Sequence, residues 1–233
     1  MKRFLVLILA SLVLLSFVSC GKKSSREAFD ISKKAFENVN EAYELVNEYS
    51  EDIYQAWFMG INESDDIYYD DELINLASEL HISQDDLEKS IITLLDKSYY
   101  SDGDYGFGNC YGDWYDLHSE HYSDSFFSAC VDVVSEAYKI NGTVKKINGL
   151  LEDAKDHMKT LSDEYSDYEF YPALKEYFTT TSSFFGFCQD PEGSFEQVVE
   201  TFNDYRNEAR DHYYDLSYVF EDGKKKEDEP EAE

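Results

Sequence analysis

Between residues 25 and 58 the chain carries apolar or small side chains at alternating steps of three and four. They are Ala28, Ser32, Ala35, Val39, Ala42, Val46, Tyr49, Ile53 and Ala56. That spacing lays one stripe down an α-helix and cannot serve a strand, whose faces alternate every second residue. Phe29, Phe36, Tyr43 and Trp57 widen the stripe, and neither Pro nor Gly interrupts it before Gly60. The small members of the seam let a neighbouring helix come close. A chain holding such a segment must bury it among other helices.

The end of the chain repeats the theme. Asp190-Pro191-Glu192-Gly193-Ser194 reads as a turn ending in an N-cap. From there Phe195, Val198, Phe202, Tyr205, Ala209, His212, Leu216 and Val219 continue the three-four rhythm to Asp222-Gly223. Residues 223–233 hold no apolar stripe and read as a disordered charged tail. A third long pattern covers about 121–168. Val134 and Ala137 lead into Asn141-Gly142, and then Val144, Ile147, Leu151, Ala154, Met158, Leu161, Tyr165 and Tyr168 continue with a phase slip of about one residue. A stammer, a kink or a break produces such a slip; one distorted but continuous helix is the expectation adopted. Shorter helices are expected at Asp71–Leu80, at Ser83–Tyr99 with Ser83 as its cap, and at Pro172–Phe185. The fold class predicted is all-α, an antiparallel bundle of three long helices plus shorter ones over residues 25–222. One Gly/Tyr/Asp-rich non-helical loop is expected at about 99–116.

Composition narrows the function classes. With 50 acidic against 20 basic residues the net charge is −30, which repels phosphate backbones and argues against nucleic-acid binding. Aromatics at 16% exclude general disorder, since disordered acidic chains are poor in them.

The chain starts MKRFLVLILASLVLLSFVSC. Lys2 and Arg3 precede an apolar run from Phe4 to Val18, too short for a span of about 20 residues and suited to a signal peptide. The run stops at Ser19-Cys20, and these first 20 residues resemble a bacterial lipoprotein signal and lipobox, although Phe17 stands where leucine is commonest. The resemblance implies removal of residues 1–19, diacylation of Cys20, and a bacterial cell-envelope location with the domain outside the cytoplasm. Residues 20–24 would be the lipidated cysteine and a short tether. The mature chain would carry 18 basic and 50 acidic residues, a net −32, held at the membrane by its acyl chains. The plainer alternative is ordinary secretion, with Cys20 a simple thiol. With Cys20 lipidated, Cys110, Cys130 and Cys188 remain as disulfide candidates, enough for one bridge and a spare thiol in any of three pairings.

The most distinctive segment is the 99–116 loop. Tyr100, Tyr105, Tyr111, Trp114 and Tyr115 crowd there around glycines, with Asp102 and Asp104 among them. Rigid aromatics with polar tips suit recognition of a sugar or cation; plugging one end of the bundle is the structural alternative. Asp102 and Asp104 open like a calcium loop, but Phe107 and Asp113 stand where it needs Gly and Glu. His118, His121 and Asp124 would share a helix face and form a weak metal candidate. Catalytic signatures are missing: there is no GxSxG, no phosphate loop and no HExxH. The expectation is a non-enzymatic, lipid-anchored envelope module without a cofactor, binding an unknown protein or envelope polymer. The alternative is a solute-binding lipoprotein that uses the aromatic loop.

Overall fold

The computed structural model describes residues 2–62, 80–98 and 123–220, with side-chain surroundings over 26–58, 80–94 and 131–220. Among the described residues there are six helices and no strand. They are α1 (Lys2–Asn62), α2 (Gln84–Ser98), α3 (Ser123–Ile140), α4 (Thr143–Glu164), α5 (Tyr171–Gln189) and α6 (Phe195–Phe220). The described residues give the all-α class expected. The helix expected at Asp71–Leu80 and the loop at 99–116 lie outside the described residues, apart from Leu80 itself. Over the residues described with side chains, no helix is long and apolar enough to cross a membrane.

The seam of α1 is buried at all nine of its positions, from Ala28 to Ala56. The helical backbone continues back through residues 20–24, expected as a tether, and through the apolar leader to Lys2. Gly21 is the weakest helix former in that stretch, and no proline stops it.

The middle pattern is two helices, which corrects the expectation of one continuous helix. Ala137 and Lys139 carbonyls accept the N–H groups of Asn141 (2.9 Å) and Gly142 (3.3 Å), closing α3. Gly142 then takes φ +85°, a left-handed conformation that a helix C-terminus favours and an interior excludes. The Asn141 side chain accepts the Thr143 N–H at 2.9 Å and starts α4 afresh. The phase slip therefore records a helix end and a new beginning. The long helices of the described structure are α1 and α6, while the third is divided into α3 and α4.

The described residues fall into two compact units. The first comprises Met1–Glu41, Leu150–Thr179 and Ala209–Glu233. Its core is aromatic and centres on Phe36, whose ring lies 5.3 Å from Phe220, 6.0 Å from Tyr213 and 6.1 Å from Tyr177. Phe29 and Phe170 meet Phe220 from other sides at 5.5 and 6.0 Å. Leu151, Met158 and Leu161 of α4 and Leu174 of α5 supply the aliphatic remainder. The Tyr177 hydroxyl donates to Asn40 at 3.1 Å, so the largest polar group in this core is satisfied.

The second unit comprises Ala42–Gly149 and Thr180–Glu208. Tyr49 and Ile53 of α1 are buried with Leu87 and Ile91 of α2, Val134 and Ala137 of α3, Phe184 of α5 and Phe202 of α6. α2 packs on α3, where the buried Ser90 hydroxyl donates to the Val133 carbonyl at 2.6 Å.

Two glycines test the break. Gly142→Ala must hold a left-handed backbone and should destabilise the protein by about 1 kcal/mol. Gly149→Ala, inside α4 where an added Cβ meets nothing, should stabilise it by about 0.5–1 kcal/mol. Urea denaturation of both variants reads the signs; in one continuous helix both changes would stabilise.

Candidate functional site

In the second unit, α2 is fixed at its start by Ser83. Its hydroxyl accepts the Asp86 N–H at 3.2 Å and donates to the Asp86 carboxylate at 2.6 Å. Leu80 and Ile82, just before, are buried, which leaves His81 between them with its ring toward α1. There it meets Asp52, whose side chain is only 1% exposed. The His81 backbone N–H donates to both carboxylate oxygens at 3.1 and 3.0 Å, and Nδ1 lies 2.9 Å from Oδ1. An ionised carboxylate only accepts, so Nδ1 carries the hydrogen. From α3 the Tyr138 hydroxyl donates to Oδ2 at 2.9 Å. One buried carboxylate thus joins α1, the entry to α2, and α3.

The electrostatics follow from burial. Desolvation pushes the Asp52 carboxyl up, while the His81 and Tyr138 donors pull it back; with three donors around an acceptor, the ionised form fits the geometry. The same contact holds the His81 imidazole above the usual histidine range, helped by the charges of Glu48 and Glu51. Burial raises Tyr138 as well, reinforced by the Asp52 charge. Tyr49 stacks on Tyr138 at 4.3 Å between ring centroids. Burial pushes its hydroxyl up to about 12, and the nearby Ser135 hydroxyl pulls the other way without closing a hydrogen bond to it.

Chemically this is an oriented, basic imidazole, held through Nδ1 and 45% exposed. Among the described residues the ring has no second side-chain partner. Its demonstrable work is to pin the start of α2.

A second polar link crosses the same unit. Arg206 of α6 donates from Nε to Asn47 Oδ1 at 2.8 Å and from Nη2 to the Ser50 hydroxyl at 2.7 Å. Both acceptors lie on α1, where Ser50 also donates to the Asn47 carbonyl at 2.7 Å.

A third feature lies at the surface. Gly193, at φ +125°, turns the chain into α6, and Ser194 and Gln197 cap it reciprocally: Ser194 N–H to Gln197 Oε1 at 2.9 Å, Gln197 N–H to Ser194 Oγ at 3.4 Å. That box sets Phe195 against the last turns of α1. Its ring lies 5.6 Å from Tyr54, 6.1 Å from Trp57 and 6.5 Å from Phe58. Beside this aromatic wall is an open recess of about 400 Å³, bounded by Tyr54 and Phe195 and by Glu196, Val199, Glu200, Asn203 and Asp204 of α6.

Most residues singled out from sequence fall elsewhere. Tyr100, Asp102, Asp104, Tyr105, Cys110, Tyr111, Trp114, Tyr115, His118 and His121 lie outside the described residues. Cys20 is on α1 and Asp124 and Cys130 are on α3, all with side chains outside the description. Cys188, one of the three cysteines expected to give one bridge and a spare thiol, is a free and fully buried thiol, raised by burial while the Arg206 charge pulls it down. Among the described residues no group of His, Cys, Asp or Glu is arranged to hold a metal ion. Neither Asp52–His81 nor the recess is legible in the sequence: Asp52 and His81 stand 29 positions apart, and Phe195 and Trp57 both fit helix seams.

No family model matches the chain, and comparison with curated proteins and with solved structures gives no match either.

Removing the central acceptor strands buried donors, so Asp52→Ala should cost about 3 kcal/mol or more in chemical denaturation. The pH dependence has a definite sign. Folded His81 holds its proton more tightly than the unfolded chain does, so its contribution is complete below about pH 6 and fades as pH rises through its folded pKa. NMR titration should place His81 above an ordinary histidine, and Asp52→Asn should return it toward that value. Cys188 should resist iodoacetamide in the native protein and react fully in denaturant.

Proposed function

We propose that this is a lipid-anchored protein of the bacterial cell envelope whose helical domain binds a partner and does not transform a substrate. The leader ending in Ser19-Cys20 supports the anchor. Two or three acyl chains hold a protein at a bilayer far more firmly than one. The observation that carries the binding role is the surface recess beside Phe195. Tyr54 and Phe195 line it, Trp57 and Phe58 back the Phe195 ring, and Phe58 stays 44% exposed. Aromatic side chains gathered at a surface recess characterise binding sites more than solvated faces.

Mass spectrometry of the mature protein should find an acylated N-terminal Cys20, and Cys20→Ala should move the protein from the membrane fraction to the soluble one. An unmodified N-terminus elsewhere, or retention of Cys20→Ala on membranes, overturns the anchor. In-cell crosslinking that captures no protein or envelope polymer overturns the binding role.

A further inference from the structure

The recess beside Phe195 has a chemistry that selects its occupant. One wall is aromatic, with the Tyr54 ring 23° from parallel to Phe195 and 19° from Phe58. The other is α6, which presents Glu196, Glu200 and Asp204, all exposed, at successive i, i+4 positions. Like charges at that spacing repel one another. Among the described residues none of the three is paired with a lysine or arginine of the chain. A cationic occupant relieves the repulsion and also gains from the aromatic faces, since an ammonium or guanidinium is attracted to a ring while its methylene stem packs on it. An anion is repelled outright, a neutral sugar can stack and donate to the carboxylates but leaves their repulsion in place, and a metal ion gains nothing from the rings.

The size of the rim separates a chain from a point charge. From Glu196 to Asp204 along α6 is about 12 Å at 1.5 Å per residue, more than a single ammonium can contact. Two basic side chains on one extended segment reach both ends.

We infer that this recess is the docking site for a Lys- or Arg-bearing peptide segment of a partner protein, seated between the Tyr54/Phe195 wall and the Glu196/Glu200/Asp204 rim. The inference rests on the partner-binding reading above and gives that partner its chemistry.

The test must separate a site from a generally acidic surface. Purified full-length protein in detergent is titrated with a fluorescein-labelled Lys/Arg nonapeptide at about 150 mM salt, where charges beyond about 8 Å are screened. The double variant Glu200→Gln/Asp204→Asn should weaken binding tenfold or more, as should Phe195→Ala. The charge-matched control Glu152→Gln/Asp156→Asn, on the exposed face of α4, should stay within twofold of the parent. Equal losses in the recess and control variants, or no peptide binding, overturn the inference. Spermine binding more tightly than the peptide also overturns it, giving the recess to a free polyamine.

A photo-crosslinker at position 54 in cells supplies the independent arm. The captured segment should carry neighbouring basic residues, and a segment without them overturns the inference. Capture only from other surface positions overturns this docking site while leaving the partner-binding reading intact. Capture from no position removes both.

Discussion

Burial of one uninterrupted stripe on α1 is the constraint from which the rest follows. A helix gains little from propensity alone and depends on its apolar face finding partners. Here the face runs from Ala28 to Ala56 without an exposed position. Every other described helix except α2 and α3 contributes to both compact units, as α1 does. The seam also explains the side chains opposite it. Beside the small Ala28 and Ala35, α1 carries Phe36, and the first unit fills with that ring and the Tyr177 and Phe220 rings that meet it. In the second unit it buries Tyr49 and Ile53, with Tyr138 of α3 stacked on Tyr49.

Asp52 is the exception within that apolar order. A carboxylate so buried is costly unless donors surround it, and His81 and Tyr138 provide them from two other segments. Because hydrophobic contacts are not directional, they would tolerate α2 entering at several registers. A carboxylate that accepts a backbone N–H, an imidazole N–H and a phenol fits only one. Arg206 gives α6 the same kind of register against α1 through Asn47 and Ser50.

How far the sequence reveals this depends on whether the signal is local. The α1 stripe is periodic over nine positions, and all nine are buried. Ser83 and Ser194 are legible as caps because the capping motif spans only four consecutive residues. The Asn141-Gly142 break was written in the same place as its phase slip. Periodicity alone does not distinguish a kink from an end, and the left-handed φ that decides it belongs to the backbone. Asp52 is harder still. It stands one residue before Ile53, and polarity alone would turn it outward; only its distant partners bring it in. The recess is illegible for a related reason, since Trp57 and Phe195 both fit seams, and their meeting depends on how α1 ends and α6 begins.

Net charge and local site work at different ranges in such a molecule. Under physiological salt a charge is felt over about 8 Å, so most of the 50 acidic residues contribute nothing to any one contact. They keep the surface soluble and raise the encounter rate of cations without choosing among them. Choice requires groups that act together within one contact: rings that reward a desolvated stem, and carboxylates spaced for its charged head. That pairing occurs where the capping box of α6 sets Phe195 against Tyr54 with Glu196, Glu200 and Asp204 beside them. The acidity of the chain therefore explains why cations would come near it. The geometry at the start of α6 is what would make one of them stay.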